Sequence, residues 1–320
     1  MTAGEEHVRI GMVAPHTTAD VRAMEQLGVD SLWVGGHLAS PNPSPEPLVW
    51  LARLAEQSER ATVGTATLVL PWYQPPIAAK QLADIDRAAN GRLVVGVGCG
   101  GEYPEDFAAA GVPLAQRGQR LDESIRLMRR FWTAEPVDHS GPLFRYEQLR
   151  IHPAPAQPGG PPIVVTGRRQ AAMRRAAGLG DGWMPYLYSA ERYARSVAEV
   201  RELARSQRRS LDTFLWMAYV MISVDTSPES ARDRAARFLG GTYSQDFTEI
   251  VDRVAVAGTL ESVVDGLVAF VRAGARHLVL LPCREPSQRD QTGTDPWLPE
   301  LLAGVRGMTV SPAEEQEHHS

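Results

Sequence analysis

Lysine is almost missing from this chain of 320 residues: Lys80 is the only one among 33 basic side chains, and all the others are arginine. An amine nucleophile, a Schiff-base anchor for a pyridoxal cofactor and a P-loop lysine each need an ammonium whose pKa can be moved, which a guanidinium does not offer. Lys80 itself sits in PPIAAKQLADIDRA, a helical pattern, and no stretch reads GxxxxGK[ST], so the P-loop is excluded. Cysteine is scarce as well. Cys99 and Cys283 are too few for a disulfide framework and have no metal-ligand spacing, which leaves two reduced thiols as the expectation. No run approaches the ~18 apolar residues of a membrane span, and MTAGEEHVRIGMV lacks a basic region followed by an apolar stretch, so a soluble cytoplasmic protein with no membrane partner is expected. The net charge of −5 gives no general attraction to nucleic acid. HExxH and GxSxG are absent and the histidines are scattered, so neither a metal site nor a Ser/His/Asp arrangement is expected.

What the chain does have is a rhythm. Short apolar runs at 8–14, 30–35, 62–70, 92–98, 162–167, 182–187, 214–225 and 276–281 alternate with amphipathic segments, several of them stopped by glycine. Eight consecutive βα units with strands apolar on both faces predict an α/β fold, a (β/α)8 TIM barrel. The segments 134–161 and 242–258 break the rhythm and predict insertions after strands four and seven. The barrel domain is expected to span 1–284, with 285–320 forming a short helix, DPWLPELLAGV, and a flexible tail that carries His318 and His319.

Gly96, Gly98 and Gly101 satisfy GxGxxG after a strand, yet Glu102, Glu105 and Asp106 follow. Three carboxylates at a helix entrance would repel a pyrophosphate, which disfavours a dinucleotide fingerprint. The alternative is that these glycines let a flat ring approach the backbone, with Glu102 and Tyr103 pointing into the barrel mouth. Catalytic groups in such barrels project from the C-terminal ends of the strands. Those ends hold Ala14, Pro15 and His16; Gly35, Gly36 and His37; Thr65, Ala66 and Thr67; Cys99, Glu102 and Tyr103; Thr166 to Arg169; and Pro185, Tyr186 and Tyr188. His37 can move a proton near neutral pH. Thr166, Gly167, Arg168 and Arg169 open a helix and form a phosphate-type anion site. Trp72, Tyr103 and Tyr186 are candidate walls for a planar ring, while Trp183 and Trp216 read as core.

The ordered series SLWVGGHL, VGTATLVLPWYQPPIAAKQLADIDRAANGRLVVGVGCGGEYPEDF and PPIVVTGRRQAAMRRAAGLGDGWMPYL resembles the bacterial luciferase-like monooxygenases over residues 8–282. Members of that superfamily use FMN or the deazaflavin coenzyme F420. The resemblance implies a ring lying in the barrel mouth, His37 beside it, and Ala66–Thr67 where the family often has a non-prolyl cis peptide supporting the ring. It also implies that Cys99, Gly100 and Glu102 form the strand-four loop, with Glu102 matching an acidic catalytic residue, and that Thr166, Gly167 and Arg168 bind cofactor phosphate. Asp181, Gly182 and Trp183 match a structural pattern. One departure stands out: many deazaflavin members carry Asp-His at the end of strand two, and this chain has Gly36-His37. The arginine-rich composition pulls the other way, since it suggests a high-GC genome and such bacteria often possess the deazaflavin. The leading expectation is a two-component monooxygenase acting on a small organic substrate with O2 and reduced FMN from a separate reductase, with His37 and Glu102 catalytic. The alternatives are F420-dependent hydride transfer and a non-catalytic flavin-binding homologue. The resemblance also implies a homodimer.

Overall fold

A computed structural model describes residues 8–15, 17–39, 44–284 and 295–307. His16, part of the 38–46 loop and the acidic tail with His318 and His319 lie outside the described residues. The first half runs β1 (Arg9–Val13), α1 (Thr18–Gln26), β2 (Ser31–Val34), α2 (Pro47–Gln57), β3 (Thr62–Thr65), β4 (Leu68–Val69), α3 (Pro75–Ala88), β5 (Leu93–Gly98), α4 (Pro104–Ala109), α5 (Arg117–Phe131), β6 (Val137–Ser140) and β7 (Arg145–Leu149). The second runs β8 (Ile163–Thr166), α6 (Gln170–Leu179), β9 (Gly182–Met184), α7 (Ala190–Ser206), β10 (Leu215–Val224), α8 (Pro228–Tyr243), β11 (Ala255–Gly258), α9 (Leu260–Arg272), β12 (His277–Pro282) and α10 (Leu298–Arg306).

Eight parallel strands pair in the order β1, β2, β3, β5, β8, β9, β10, β12, and β12 pairs back onto β1, so the ring closes as a (β/α)8 barrel. Every residue of β2, β5 and β8 is buried, because side chains facing inward fill the barrel and those facing outward meet the helices. Helix starts follow local chemistry. Ser189, Ser227 and Thr259 each accept the backbone N–H three residues on, a cap worth about 1 kcal/mol. Proline occupies the first turn of α2, α3 and α8, where its missing N–H is not needed. Inside the barrel the Trp33 indole donates to Ser31 Oγ at 2.7 Å, and Ser31 Oγ lies 2.6 Å from His277 Nε2. The indole is donor only, so Ser31 Oγ accepts from it, and in the second bond the serine donates to His277 Nε2 or accepts from it according to the imidazole tautomer. Lys80 sits half-exposed on α3, its ammonium donating to the His152 carbonyl and lying 3.9 Å from Asp84.

Three details differ from the sequence reading. The strand expected at 62–70 is broken into β3 and β4 at a cis Ala66–Thr67 peptide and ends in a 3-10 turn at Leu70–Trp72. The strand expected at 182–187 stops at Met184, since Pro185 has no N–H to continue the ladder, and only an isolated bridge joins Tyr186 to Tyr219. Residues 242–258 are not a free excursion: they end in β11, which pairs in parallel with Met221–Val224 of β10. The ten-residue β10 outruns β9, whose pairing stops at Trp216, and β11 covers the edge left bare. The 134–161 segment forms the antiparallel β6–β7 hairpin, gripped by Glu123 of α5, which accepts from His139 Nε2 at 2.7 Å and from Phe144 N at 3.1 Å. Helix α10 packs on α9 with Leu298, Leu301, Leu302 and Val305 buried in the main core.

Candidate active site

The exit of β2 is made of glycines for a steric reason. A Cβ on Gly35 would stand 2.8 Å from the Ala66 carbonyl oxygen, and one on Gly36 would stand 2.3 Å from that of Pro45. No Asp fits at position 36 in this backbone, which accounts for the departure seen in the sequence. The carboxylate arrives from elsewhere. Asp106, in the first turn of α4, accepts from His37 Nδ1 at 2.8 Å with one oxygen and from Leu38 N and Ala39 N at 2.8 and 2.7 Å with the other. Its side chain is 3% exposed against 32% for His37. A buried carboxylate with three N–H partners fixes the imidazole tautomer and leaves Nε2 as the free ring nitrogen. Tyr103 packs edge-on against His37, with ring centroids 4.7 Å apart, and its hydroxyl donates to Thr242 O at 2.5 Å.

A second group gathers one residue away. Glu102 accepts from Tyr186 Oη at 2.5 Å, and the Arg168 guanidinium lies over the Tyr186 ring, 5.5 Å from its centroid. Burial first and Glu102 second push the Tyr186 phenol above its ordinary range. Tyr219 and Tyr243 are raised by burial too, Tyr243 also by Glu102, Tyr186 and Tyr219, so two protonated phenols, Tyr186 and Tyr243, stand near one exposed carboxylate, with Tyr219 beyond Tyr243. Sequence reasoning found Glu102, Tyr186 and Arg168 but missed Tyr219, Tyr243 and the role of Asp106.

The other expected residues divide between wall and loop. Gly96 and Gly98 serve strand packing: a Cβ on Gly96 would fall 2.0 Å from Thr65 O, and one on Gly98 would fall 2.7 Å from Thr166 Oγ1. Thr166 Oγ1 is within 3.0 Å of Thr67 Oγ1 and 3.1 Å of Val97 O, while Thr67 Oγ1 donates to Gly96 O at 3.1 Å. The Thr166 hydroxyl is thus committed to the barrel wall and the Gly167 N–H to Met184 O at 3.3 Å, so the anion donors of the loop begin at Arg168. Cys99 is half-buried and its thiol is pushed up by burial, so it acts as wall rather than as thiolate. Gly100 and Gly101, at φ 62° and 107°, are exposed and open the backbone at the mouth. Trp72 is buried in a small cluster with Val69, Phe107 and Val112, edge-on to Phe107, and supports α4 from behind rather than facing a pocket. Trp183 and Trp216 are core, and Asp181 is structural, accepting from Arg129 and Ile163 N.

Beyond Arg168 and Arg169, a cleft of about 540 Å³ opens between α6 and α7, lined also by Arg192, Arg195 and Tyr188. This donor set fits an anionic cofactor tail, and the bare backbone at Gly100 and Gly101 fits a flat ring. Among the described residues no group of three or more His, Cys, Asp or Glu is placed to hold a metal ion, and no helix is long and apolar enough to cross a membrane.

Proton-moving groups beside an anion cleft, at the C-terminal ends of a (β/α)8 barrel, are the equipment of a cofactor-dependent oxidoreductase. The comparisons place it more narrowly: residues 3–277 match the luciferase-like monooxygenase family model, and the chain belongs to that family of oxidoreductases. An F420-dependent glucose-6-phosphate dehydrogenase of Rhodococcus erythropolis is 29% identical over 289 residues, covering 80% of this chain and 84% of that one. An F420-dependent secondary alcohol dehydrogenase in complex with an F420-acetone adduct shares the fold with a TM-score of 0.81 at 18% identity, covering 94% and 99% of the two chains. The oxygenating constituent of 3,6-diketocamphane monooxygenase of Pseudomonas putida, in complex with FMN, has a TM-score of 0.73 at 18% identity, covering 96% and 100%. Both F420- and FMN-dependent proteins therefore stand among its relatives.

Proposed function

We propose that this chain is an F420-dependent oxidoreductase that interconverts a small alcohol and its carbonyl, a reading that reverses the order of the two enzymatic expectations drawn from the sequence. The observation that carries it is the His37–Asp106 pair: the acid missing beside His37 in sequence is supplied across 69 residues, at 2.8 Å, by a buried carboxylate. The F420-dependent relative of Rhodococcus erythropolis supports the same choice of cofactor.

Bound in the mouth, the deazaflavin supplies a ring carbon that gives or takes a hydride but reacts poorly with O2. The protein handles the proton. In alcohol oxidation the substrate hydroxyl gives its proton to His37 Nε2, and Asp106 stabilises the imidazolium through Nδ1–H; in carbonyl reduction the same proton returns to the oxygen. Glu102 and Tyr186 orient the substrate from the opposite side of the loop. The backbone N–H groups from Arg168 onward and the side chains of Arg168 and Arg169 hold the phosphate. The alternative is the two-component monooxygenase, with reduced FMN from a separate reductase, which needs water kept from the reduced ring.

Titration of the purified chain with F420 and with FMN, followed by absorbance and fluorescence, tests the cofactor. Tight binding of F420 is expected, together with reduction of F420 by small secondary alcohols. Binding of FMN alone would overturn the proposal.

A further inference from the structure

Two phenols of the mouth are uncommitted. Tyr186 Oη donates to Glu102, Tyr103 Oη to Thr242 O and Tyr188 Oη to Arg168 O. Among the described residues the half-buried hydroxyls of Tyr219 and Tyr243 have no hydrogen-bond partner. Strand geometry aims Tyr219 into the mouth. Side chains alternate along a strand, and Met217 of β10 and Val279 of β12 lie in the interior cluster around Trp33. Tyr219, two residues beyond Met217, and Leu281, two beyond Val279, therefore face the same side nearer the C-terminal ends of their strands. Tyr219 packs on that interior cluster and also on a second apolar cluster, apart from the main core, which takes in Tyr186, Tyr243 and Leu281. Tyr243 ends α8, with its ring centroid 5.8 Å from that of Phe247. The Thr242 carbonyl beside it is clasped by Tyr103, whose ring packs on His37, so the two free hydroxyls and the proton-moving imidazole share one mouth.

The charges around this wall are already engaged. Arg234 is paired with Asp225 at 3.0 Å and Arg284 with Asp295 at 2.8 Å, while Arg168, over the Tyr186 ring, belongs to the phosphate loop. Glu102 beside the phenols repels an anion. What remains is a pair of O–H donors among apolar side chains, and a donor pair of this kind fits a neutral acceptor oxygen.

We propose that Tyr219 and Tyr243 donate to a second oxygen of the substrate, which makes the substrate a neutral alcohol bearing a further hydroxyl, ether or carbonyl oxygen rather than a phosphate ester or a carboxylic acid. The inference rests on the reading that His37 moves the proton of a small alcohol, and it names the class of that alcohol. The second oxygen takes no part in the bond changes; it fixes which carbinol is presented to His37. A monofunctional alcohol fills the mouth but leaves both donors without an acceptor.

The experiment follows F420 reduction by the full chain and compares kcat/KM within matched pairs: butane-2,3-diol against butan-2-ol, cyclohexane-1,2-diol against cyclohexanol, and glucose 6-phosphate against glucose. Each diol is expected to exceed its mono-alcohol by about tenfold or more, the scale of one or two donors left unpaired. The phosphate should bring no gain. Tyr219→Phe and Tyr243→Phe remove the hydroxyls and keep the rings, so both should fold by circular dichroism. Each should lower the diol preference part of the way, and the double variant should bring the ratio towards one, whereas damage to the wall alone would lower both members of a pair together. A parent enzyme without diol preference, single and double variants that keep it, or a marked gain from the phosphate would overturn the second-oxygen site while leaving the F420 reading intact. Failure of every alcohol to reduce F420 would instead overturn the proposed function, and this site with it.

Discussion

Asp106 shows how much can depend on one atom of a carboxylate. Replacing it by Asn keeps the size but puts either an amide oxygen or an amide NH2 opposite His37 Nδ1, and two backbone N–H groups still compete for the oxygen. With the NH2 facing the ring, the imidazole is driven into the wrong tautomer. Turnover by Asp106→Asn is therefore expected to fall by on the order of 10²-fold or more, with the F420 dissociation constant within about twofold of the parent; steady-state rates and a binding titration check both halves. A Kd that moves as much as the rate would return Asp106 to a purely structural role. At Glu102 the expectation concerns ionisation. The carboxylate helps to keep Tyr186 protonated, so Glu102→Gln should lower the Tyr186 pKa while burial still holds it above the ordinary tyrosine range. Ultraviolet titration against Tyr186→Phe would reveal the shift. Neither pairing could be read from one sequence: Glu102 and Tyr186 were each singled out, but nothing in sequence spacing joins 102 to 186 or 37 to 106.

Among the elements, those governed by local rules were legible. The capped helices and the fully buried strands β2, β5 and β8 stand where periodicity puts them. What was not legible depends on neighbours. The end of β9, the pairing of β11 with β10 and the break between β3 and β4 are decided by which strand edge lies free and which backbone comes close. The glycines of β5 belong to the same group, since a motif that imitates a nucleotide fingerprint proves to be two close strand contacts. Gly96→Ala sets a methyl carbon 2.0 Å from a backbone oxygen that has no room to retreat. A loss of about 3 kcal/mol or more in unfolding free energy, or no folded protein at all, is expected in denaturant titration.

For the whole molecule, closure of the ring places His277 of β12 inside the barrel. Burial, aided by Arg9, brings its pKa down to about 3 from an ordinary 6.5. The folded chain thus refuses a proton that the unfolded chain accepts below 6.5, so the folded state loses stability as the pH falls from there towards 3. Above 6.5 both states are neutral and the group contributes no pH dependence. The slope from this residue approaches about 1.4 kcal/mol per pH unit. Urea unfolding at about pH 7 and about pH 5 should show the fall, and His277→Gln should show a smaller one whatever its absolute stability. The barrel as a whole was legible because its rhythm repeats; the inward-facing histidine was not, since only the pairing of β1 with β12 shows which residues share the interior.

The single lysine has a practical consequence at the bench. Lys80 is the one side-chain amine in the protein, half-exposed on the outside of α3 and engaged with the His152 carbonyl and a distant Asp84. Amine-reactive dyes, resins and crosslinkers therefore meet one defined side chain on the outer layer of helices. Molecules coupled through Lys80 rather than through the α-amine would share one orientation, with the mouth and the arginine cleft left open to ligand.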